Sequence, residues 1–289
     1  MATTSGVPAE WLYLNGEFMP LHQGRVPVED RGYLFGDGVY EVVRRYAGRF
    51  FRLGEHLARL RASAAAIDLA VPWTDADLAA VCETLAGRSG LEDCTVYFQI
   101  TRGVAPRAHA FPRGVPPSIM AFARAVSAPS AAQRAEGVPV VSVTDDRWGR
   151  CHIKSINLLA NVLAKEKALE AGGFEGLFVR DGIVTEGTVS NAFGVRGRTV
   201  FTHPADHRIL HGVTRAAVLE VAAAEGLDVR EEPRPLGDFL GADEVFLSGT
   251  SVEVLGVSMI DKKPIGAGRT GPVTTALHKA FVRLTRGTA

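Results

Sequence analysis

Residues 150–161 read RCHIKSINLLAN, and the fifth of them, Lys154, is the first lysine in a chain that has already used sixteen arginines. Cys151 and Ile153 alternate with His152 and Lys154, the period of an extended segment, while Leu158, Leu159, Val162 and Leu163 follow at helical spacing. The stretch therefore reads as a strand end running into a helix opened by Ser155 or Asn157 and closed at Gly172-Gly173, where a left-handed cap belongs. Arginine is always charged, whereas burial can neutralise an amine and make it a nucleophile. A lysine beside an apolar helix could be desolvated in this way. On local grounds alone, a catalytic lysine and a structural one both stay open. Lys165 and Lys167, beside Glu166 and Glu170, read as a solvated helix face.

Upstream, WLYLNGEFMPL (11–21) is a hairpin around Asn15-Gly16, and VYEVVRRYAGRFFRL (39–53) repeats the pattern around Ala47-Gly48. Helical spacing runs from Glu55 to Leu69 and again from Thr74, a good N-cap, to Ala86. Strands return at CTVYFQITRG (94–103) and SIMAFARAV (118–126), and the small, polar SAPSAAQRAEG (127–137) marks a linker. Downstream come the strand VPVVSVTDD (138–146), hairpins around Asp181-Gly182 and Arg196-Gly197, and a helix from about Thr214 to Glu225. A strand-rich run (242–261) and an amphipathic helix opened by Pro272 complete the chain. Strands cluster without regular strand–helix alternation, which predicts an α+β fold in two domains rather than a doubly wound sheet. The expected division is a smaller N-terminal α/β domain (1–127), a linker (128–136) and a larger β-rich C-terminal domain with helices (137–289).

The bulk properties exclude several classes. Lysine plus arginine balances aspartate plus glutamate in 289 residues, so no basic surface for nucleic acid is expected. Cys82, Cys94 and Cys151 lack CxxC spacing, which argues against a disulfide framework or structural zinc and fits a reducing compartment. With no apolar run long enough for a bilayer and no leader-like N-terminus, the expectation is a cytoplasmic protein without a membrane partner. His203, His207 and His211 recur every fourth residue, but Pro204 and Asp206 favour a turn, so no metal is expected. The GxG at Gly36 and Gly38 lacks the third glycine of a dinucleotide fingerprint. In ILHGVTR, Gly212 precedes a helix whose first N–H groups could bind an anion, although simple capping by Thr214 explains it equally well. FLSGTSVE, with Gly249, Thr250 and Ser251 at a strand end, could cradle a phosphate or form an ordinary turn.

Eight segments in register cover nearly the whole chain: DRGYLFGDGVYE, EHLARL, YFQITRG, PRAHAFP, RWGRCHIKSINLLANVLAKEKA, VTEGTVSNAFG, THP and ILHGVTR. Together they resemble the fold-type IV pyridoxal-phosphate aminotransferases, and within them the branch acting on D-amino acids. The resemblance implies pyridoxal 5'-phosphate (PLP) as cofactor, held through a Schiff base on Lys154, which also moves protons at the substrate Cα. It places Glu186 opposite the pyridine nitrogen, Arg59, Val213, Thr214 and Thr250 around the phosphate, and Leu210 against the ring. Tyr40, Arg107 and His109 match the trap for the substrate α-carboxylate. The implied reaction carries an amino group from a D-amino acid to 2-oxoglutarate or pyruvate, in a homodimer that completes its active site across the interface. Relatives within the fold act instead on branched-chain L-amino acids, on amines or as aminodeoxychorismate lyases. A silent binding protein would lack the lysine or the carboxylate. Gly249 stands where a hydroxyl residue is common, His211 where a lysine is common, and Val213 replaces isoleucine.

Overall fold

The computed structural model describes residues 10–287. Contacts divide the chain into two compact units, one ending at Val126 but including Ile153–Asn157, the other holding Ser127–His152 and the chain from Leu158 onward. The opening stretch is thus shared: Cys151 and His152 fall in the second unit, Lys154 in the first.

In the first unit, β1 (Trp11–Leu14) and β2 (Glu17–Pro20) form the expected hairpin, with Asn15 and Gly16 at φ of 48° and 103°. A short α1 (Arg31–Phe35) follows, its first turn capped by the Asp30 carboxylate, which accepts from Gly32 N–H. Then come β3 (Gly38–Tyr46), β4 (Arg49–Phe50), α2 (Leu53–Ala65), α3 (Asp75–Ser89), β5 (Cys94–Thr101) and β6 (Ser118–Ala125). Thr74 caps α3 in a full capping box with Asp77. The sheet order is β2-β1-β6-β5-β3-β4, antiparallel throughout. Val39, Val43, Val96, Phe98 and Ile100 turn one face of this sheet into a core with Leu57 and Leu60 of α2 and Leu78 and Leu85 of α3. Each such leucine, removed from water, stabilises the unit by about 2 kcal/mol. The period of two places Tyr40 on the opposite face, where it stacks on Tyr97.

The second unit begins with α4 (Ala131–Glu136), a helix inside the stretch expected to be a linker, opened by a capping box between Ser130 and Gln133. It continues through β7 (Val138–Thr144), α5 (Leu159–Glu170), β8 (Glu175–Arg180), β9 (Ile183–Gly187), β10 (Asn191–Arg196) and β11 (Thr199–Thr202). The chain ends with α6 (Val213–Ala224), β12 (Asp228–Glu231), β13 (Arg234–Pro235), α7 (Leu236–Leu240), β14 (Glu244–Gly249), β15 (Glu253–Ile260), β16 (Lys263–Pro264) and α8 (Pro272–Arg286). One mixed ten-stranded sheet runs β12-β11-β10-β14-β15-β7-β8-β9-β13, with β16 on β15. Its parallel pairs are β15 with β7, β7 with β8, and β11 with β12.

Two local expectations are corrected. Neither Ser155 nor Asn157 caps α5: the Ser155 hydroxyl accepts from Asn157 N–H at 3.1 Å, and the helix starts at Leu159. Leu159, Val162 and Leu163, expected as the apolar side of this helix, stay exposed in the single chain. Among the described residues no helix is long and apolar enough to cross a membrane.

Candidate functional site

In the first unit, Lys154 is fastened through its backbone. Its carbonyl accepts from Tyr40 N–H at 3.0 Å, its N–H donates to Ser63 Oγ at 3.1 Å, and Ser155 bridges to Val39. A segment remote in sequence therefore lies along β3 with its orientation fixed from both sides. Lys154 is half-buried, and its Nζ stands 4.2 Å from the centre of the Tyr40 ring, where the π face favours a cation. Tyr40 and Lys154, given separate roles by the resemblance, are thus brought together.

Arg59 is held by a partner that the sequence did not reveal. Glu41, fully buried between Val39 and Val43 on the α2 side of β3, accepts from Arg59 Nε and from one terminal nitrogen, both at 2.8 Å. His56 Nδ1 lies 2.7 Å from the same carboxylate. Burial alone would raise the Glu41 carboxyl, but the Arg59 charge and hydrogen bonds, with help from His56, outweigh it and hold the group at about 2. A fork so anchored presents its guanidinium in one direction, as anion binding requires. Arg107 and His109 lie exposed on the loop between β5 and β6. Both stand near Phe35, the guanidinium carbon of Arg107 at 5.2 Å and the His109 ring at 5.6 Å.

In the second unit, Glu186 sits buried on β9. Arg147 donates to its Oε1 at 2.6 Å, Asn191 Nδ2 to its Oε2 at 3.0 Å, and Leu210 N–H reaches both oxygens at 3.0–3.1 Å. Arg147 in turn forks onto Asp145, which also accepts from Arg180 and Thr185. Two arginines against two carboxylates leave this network balanced. Burial still pushes the Glu186 carboxyl up to about 7, against the pull of Arg147 and Leu210 N–H. A positive charge placed against it would hold it ionised.

Leu210 and the start of α6 are tied to the same carboxylate, because Asn191 Nδ2 also donates to Leu210 carbonyl at 3.0 Å. Gly212, not Thr214, occupies the N-cap position, and no side chain caps the helix. Val213 and Thr214 are buried in its first turn, and their N–H groups begin a helix whose dipole favours an anion. A Cβ at Gly212 would come within 2.2 Å of Asn191 Oδ1. This close approach explains why the position takes no side chain. Thr250 lies half-buried just beyond β14.

The donor set suits a cofactor with a ring nitrogen at one end and a phosphate at the other. A buried carboxylate of raised pKa fits a pyridinium, and an uncapped helix start fits a dianion, with Leu210 and Asn191 linking the two in one unit. Arg147, Asp145, Asn191, Glu41 and His56 were not foreseen in these roles. All but Asp145 lie inside the quoted motifs, yet their residue types alone do not say which partner each serves.

Comparison with known proteins agrees with this chemistry. A family model described as Amino-transferase class IV matches residues 38–260. The D-alanine aminotransferase of Bacillus licheniformis is 42% identical over 267 residues, 92% of this chain and 94% of that protein. Among solved structures, the branched-chain amino acid aminotransferase of Escherichia coli matches with a TM-score of 0.90 at 27% identity, covering 96% of this chain and 95% of the other. The branched-chain amino acid aminotransferase of Thermoproteus uzoniensis, solved with norvaline, matches with a TM-score of 0.87 at 26% identity, again over 96% and 95% of the two chains.

Proposed function

Because the chain belongs to the class IV amino-transferase family, we propose that it is a PLP-dependent D-amino acid aminotransferase. It moves the amino group of a D-amino acid to a 2-oxo acid, 2-oxoglutarate or pyruvate, in two half-reactions with ping-pong kinetics. The observation that carries the reading is that one chain holds both a backbone-anchored Lys154 with its amine over Tyr40 in its first unit and a buried, arginine-supported Glu186 in its second.

Lys154 would hold the cofactor through its Nζ, and the same nitrogen, a free amine once substrate is bound in its place, would take the proton from the substrate Cα. Tyr40, beneath that nitrogen, orients it. When bound, the cofactor supplies an electron sink for the bond broken at Cα. Glu186, kept in place by Arg147, Asn191 and Leu210 N–H, would keep a ring nitrogen protonated through its negative charge. Arg59, aimed by Glu41 and His56, would serve the phosphate, as would the Val213 and Thr214 N–H groups and Thr250. Leu210 would line the ring's site. Arg107 and His109, with Tyr40, bind the substrate α-carboxylate, and this set selects the D enantiomer.

The working form is a homodimer in a cytoplasmic setting. The exposed apolar side chains of Leu159, Val162 and Leu163 on α5 support a subunit contact. The test is Lys154→Ala beside Glu186→Gln. Lys154→Ala should abolish turnover of D-alanine and the absorbance of lysine-bound cofactor, and Glu186→Gln should cut kcat at least about a hundredfold. Normal turnover in Lys154→Ala would refute the assignment.

A further inference from the structure

Arg31 is a side chain that the reaction as described leaves without a task, although its guanidinium is placed with care. It is 3% exposed at the start of α1. One terminal nitrogen donates to Ala108 carbonyl at 2.6 Å and reaches Ala110 carbonyl at 3.4 Å, while the other lies 3.5 Å from His109 carbonyl. One planar cation thus gathers three successive carbonyls on the loop that carries Arg107 and His109. Its Nε donates to Asp37 Oδ2 at 2.8 Å, and Asp37 also receives two hydrogen bonds from Arg102, at 2.9 and 3.0 Å. Arg102 in turn donates to the Ile67 and Asp68 carbonyls just beyond α2 and lies 3.6 Å from the Phe111 ring centre.

The base of the loop is fixed by backbone. Arg31 N–H donates to Gly103 carbonyl at 2.9 Å, Ala105 N–H to Glu29 carbonyl at 3.2 Å, and Arg102 N–H to Asp37 carbonyl at 3.1 Å. Gly103 itself, at φ of 91°, has no space for a side chain, since a Cβ would meet Pro116 carbonyl at 2.1 Å. The Phe35 ring completes the arrangement, with Arg31 at 4.8 Å and Arg107 at 5.2 Å. A loop whose outward side chains are exposed is therefore held from beneath by a buried charged brace.

We propose that Arg31, braced through Asp37 by Arg102, is a positioning residue for substrate binding: it sets the 107–109 loop so that Arg107 and His109 meet the carboxylate shared by amino-acid and oxo-acid substrates. The inference rests on the reading of Arg107 and His109 as the carboxylate site. Both substrates carry that carboxylate, so loosening the loop acts on both Michaelis constants and leaves proton transfer at Lys154 intact. Misplacing a binding group by an ångström can cost about a hundredfold, and a partial loosening less.

The experiment measures KM and kcat for D-alanine and for pyruvate in the holoenzyme with Arg31→Gln, Arg31→Lys, Asp37→Asn and, as control, Arg107→Ala. Arg31→Gln should raise both KM values about tenfold with kcat within about twofold of wild type. Arg31→Lys, which keeps the charge but cannot reach three carbonyls, should recover part of the loss. Asp37→Asn should shift both KM values in the same direction and serves as the reading should Arg31→Gln fail to fold. Raised KM in Arg107→Ala with unchanged KM in the Arg31 and Asp37 variants overturns the brace alone. Unchanged KM in Arg107→Ala overturns the carboxylate site, and the brace with it. A fall in kcat at constant KM also overturns the proposal, because it would place Arg31 with the proton-transfer machinery.

Discussion

Glu186→Gln in the cofactor-free protein isolates the energetic cost of holding a carboxylate ready for a cationic ring. The folded chain raises this carboxyl from 4.5 to about 7, chiefly through burial. A raised pKa means that the fold prefers the protonated form. The stability it contributes is fully present below pH 4.5, falls as pH rises between 4.5 and 7, and is lost above the folded value. At 1.36 kcal/mol per unit, the shift amounts to about 3 kcal/mol of stability forfeited by the wild type across that window. Glutamine has nearly the same shape and carries no charge at any pH, so the variant lacks this loss. The assay is urea denaturation of both proteins without cofactor at about pH 5 and about pH 8, taking the difference between them at each pH so that all other titrations cancel. The two should differ little at the lower pH, and the variant should gain by up to about 3 kcal/mol at the higher one, while binding cofactor more weakly. A stability difference that is flat with pH would refute the claim that Glu186 is strained toward neutrality. One that moved the other way would mean that Arg147 outweighs burial.

Arg147→Met removes the cation shared by Glu186 and Asp145 and leaves two buried carboxylates short of a partner; urea denaturation at about pH 7 should show a loss of about 3–5 kcal/mol. Glu41→Gln acts with the opposite pH sense, because the Glu41 carboxyl is held at about 2 and its contribution is present above 4.5 and lost as pH falls toward 2. The variant should be less stable than wild type by about 3 kcal/mol at about pH 7, a difference that shrinks steadily on acidification in the same assay. Gly212→Ala forces a methyl onto Asn191 Oδ1 and should weaken cofactor binding in an absorbance titration by about tenfold, about 1.4 kcal/mol, with little change in helix content.

Much of this fold could be read from short patterns. The turns at Asn15-Gly16, Ala47-Gly48 and Asp181-Gly182 adopt positive φ, and Thr74 caps α3 as its residue type suggests. The start of α5 departs from expectation because Ser155 spends its hydroxyl on a local turn, a choice that the residue type does not settle. The helix at Ala131–Glu136 is hard to read because its small, polar residues carry no apolar face, and its capping box is its main signal. At the site, Lys154 is conspicuous as the first lysine, and Tyr40 and Glu186 are reached through motif resemblance. The supporting groups stay hidden for a physical reason. Glu41 is 18 residues from Arg59, Arg147 is 39 from Glu186, and Arg31 is 77 from Ala108. No period or cap links positions so far apart; only the completed sheets bring them within hydrogen-bond distance.

The most direct test offers D-alanine and L-alanine separately, each with 2-oxoglutarate, to the holoenzyme and follows pyruvate and glutamate formation. Consumption of D-alanine alone, with parallel lines in a double-reciprocal plot, is the predicted result. Consumption of L-alanine alone would contradict it and would mean that Tyr40, Arg107 and His109 do not direct the substrate carboxylate as proposed.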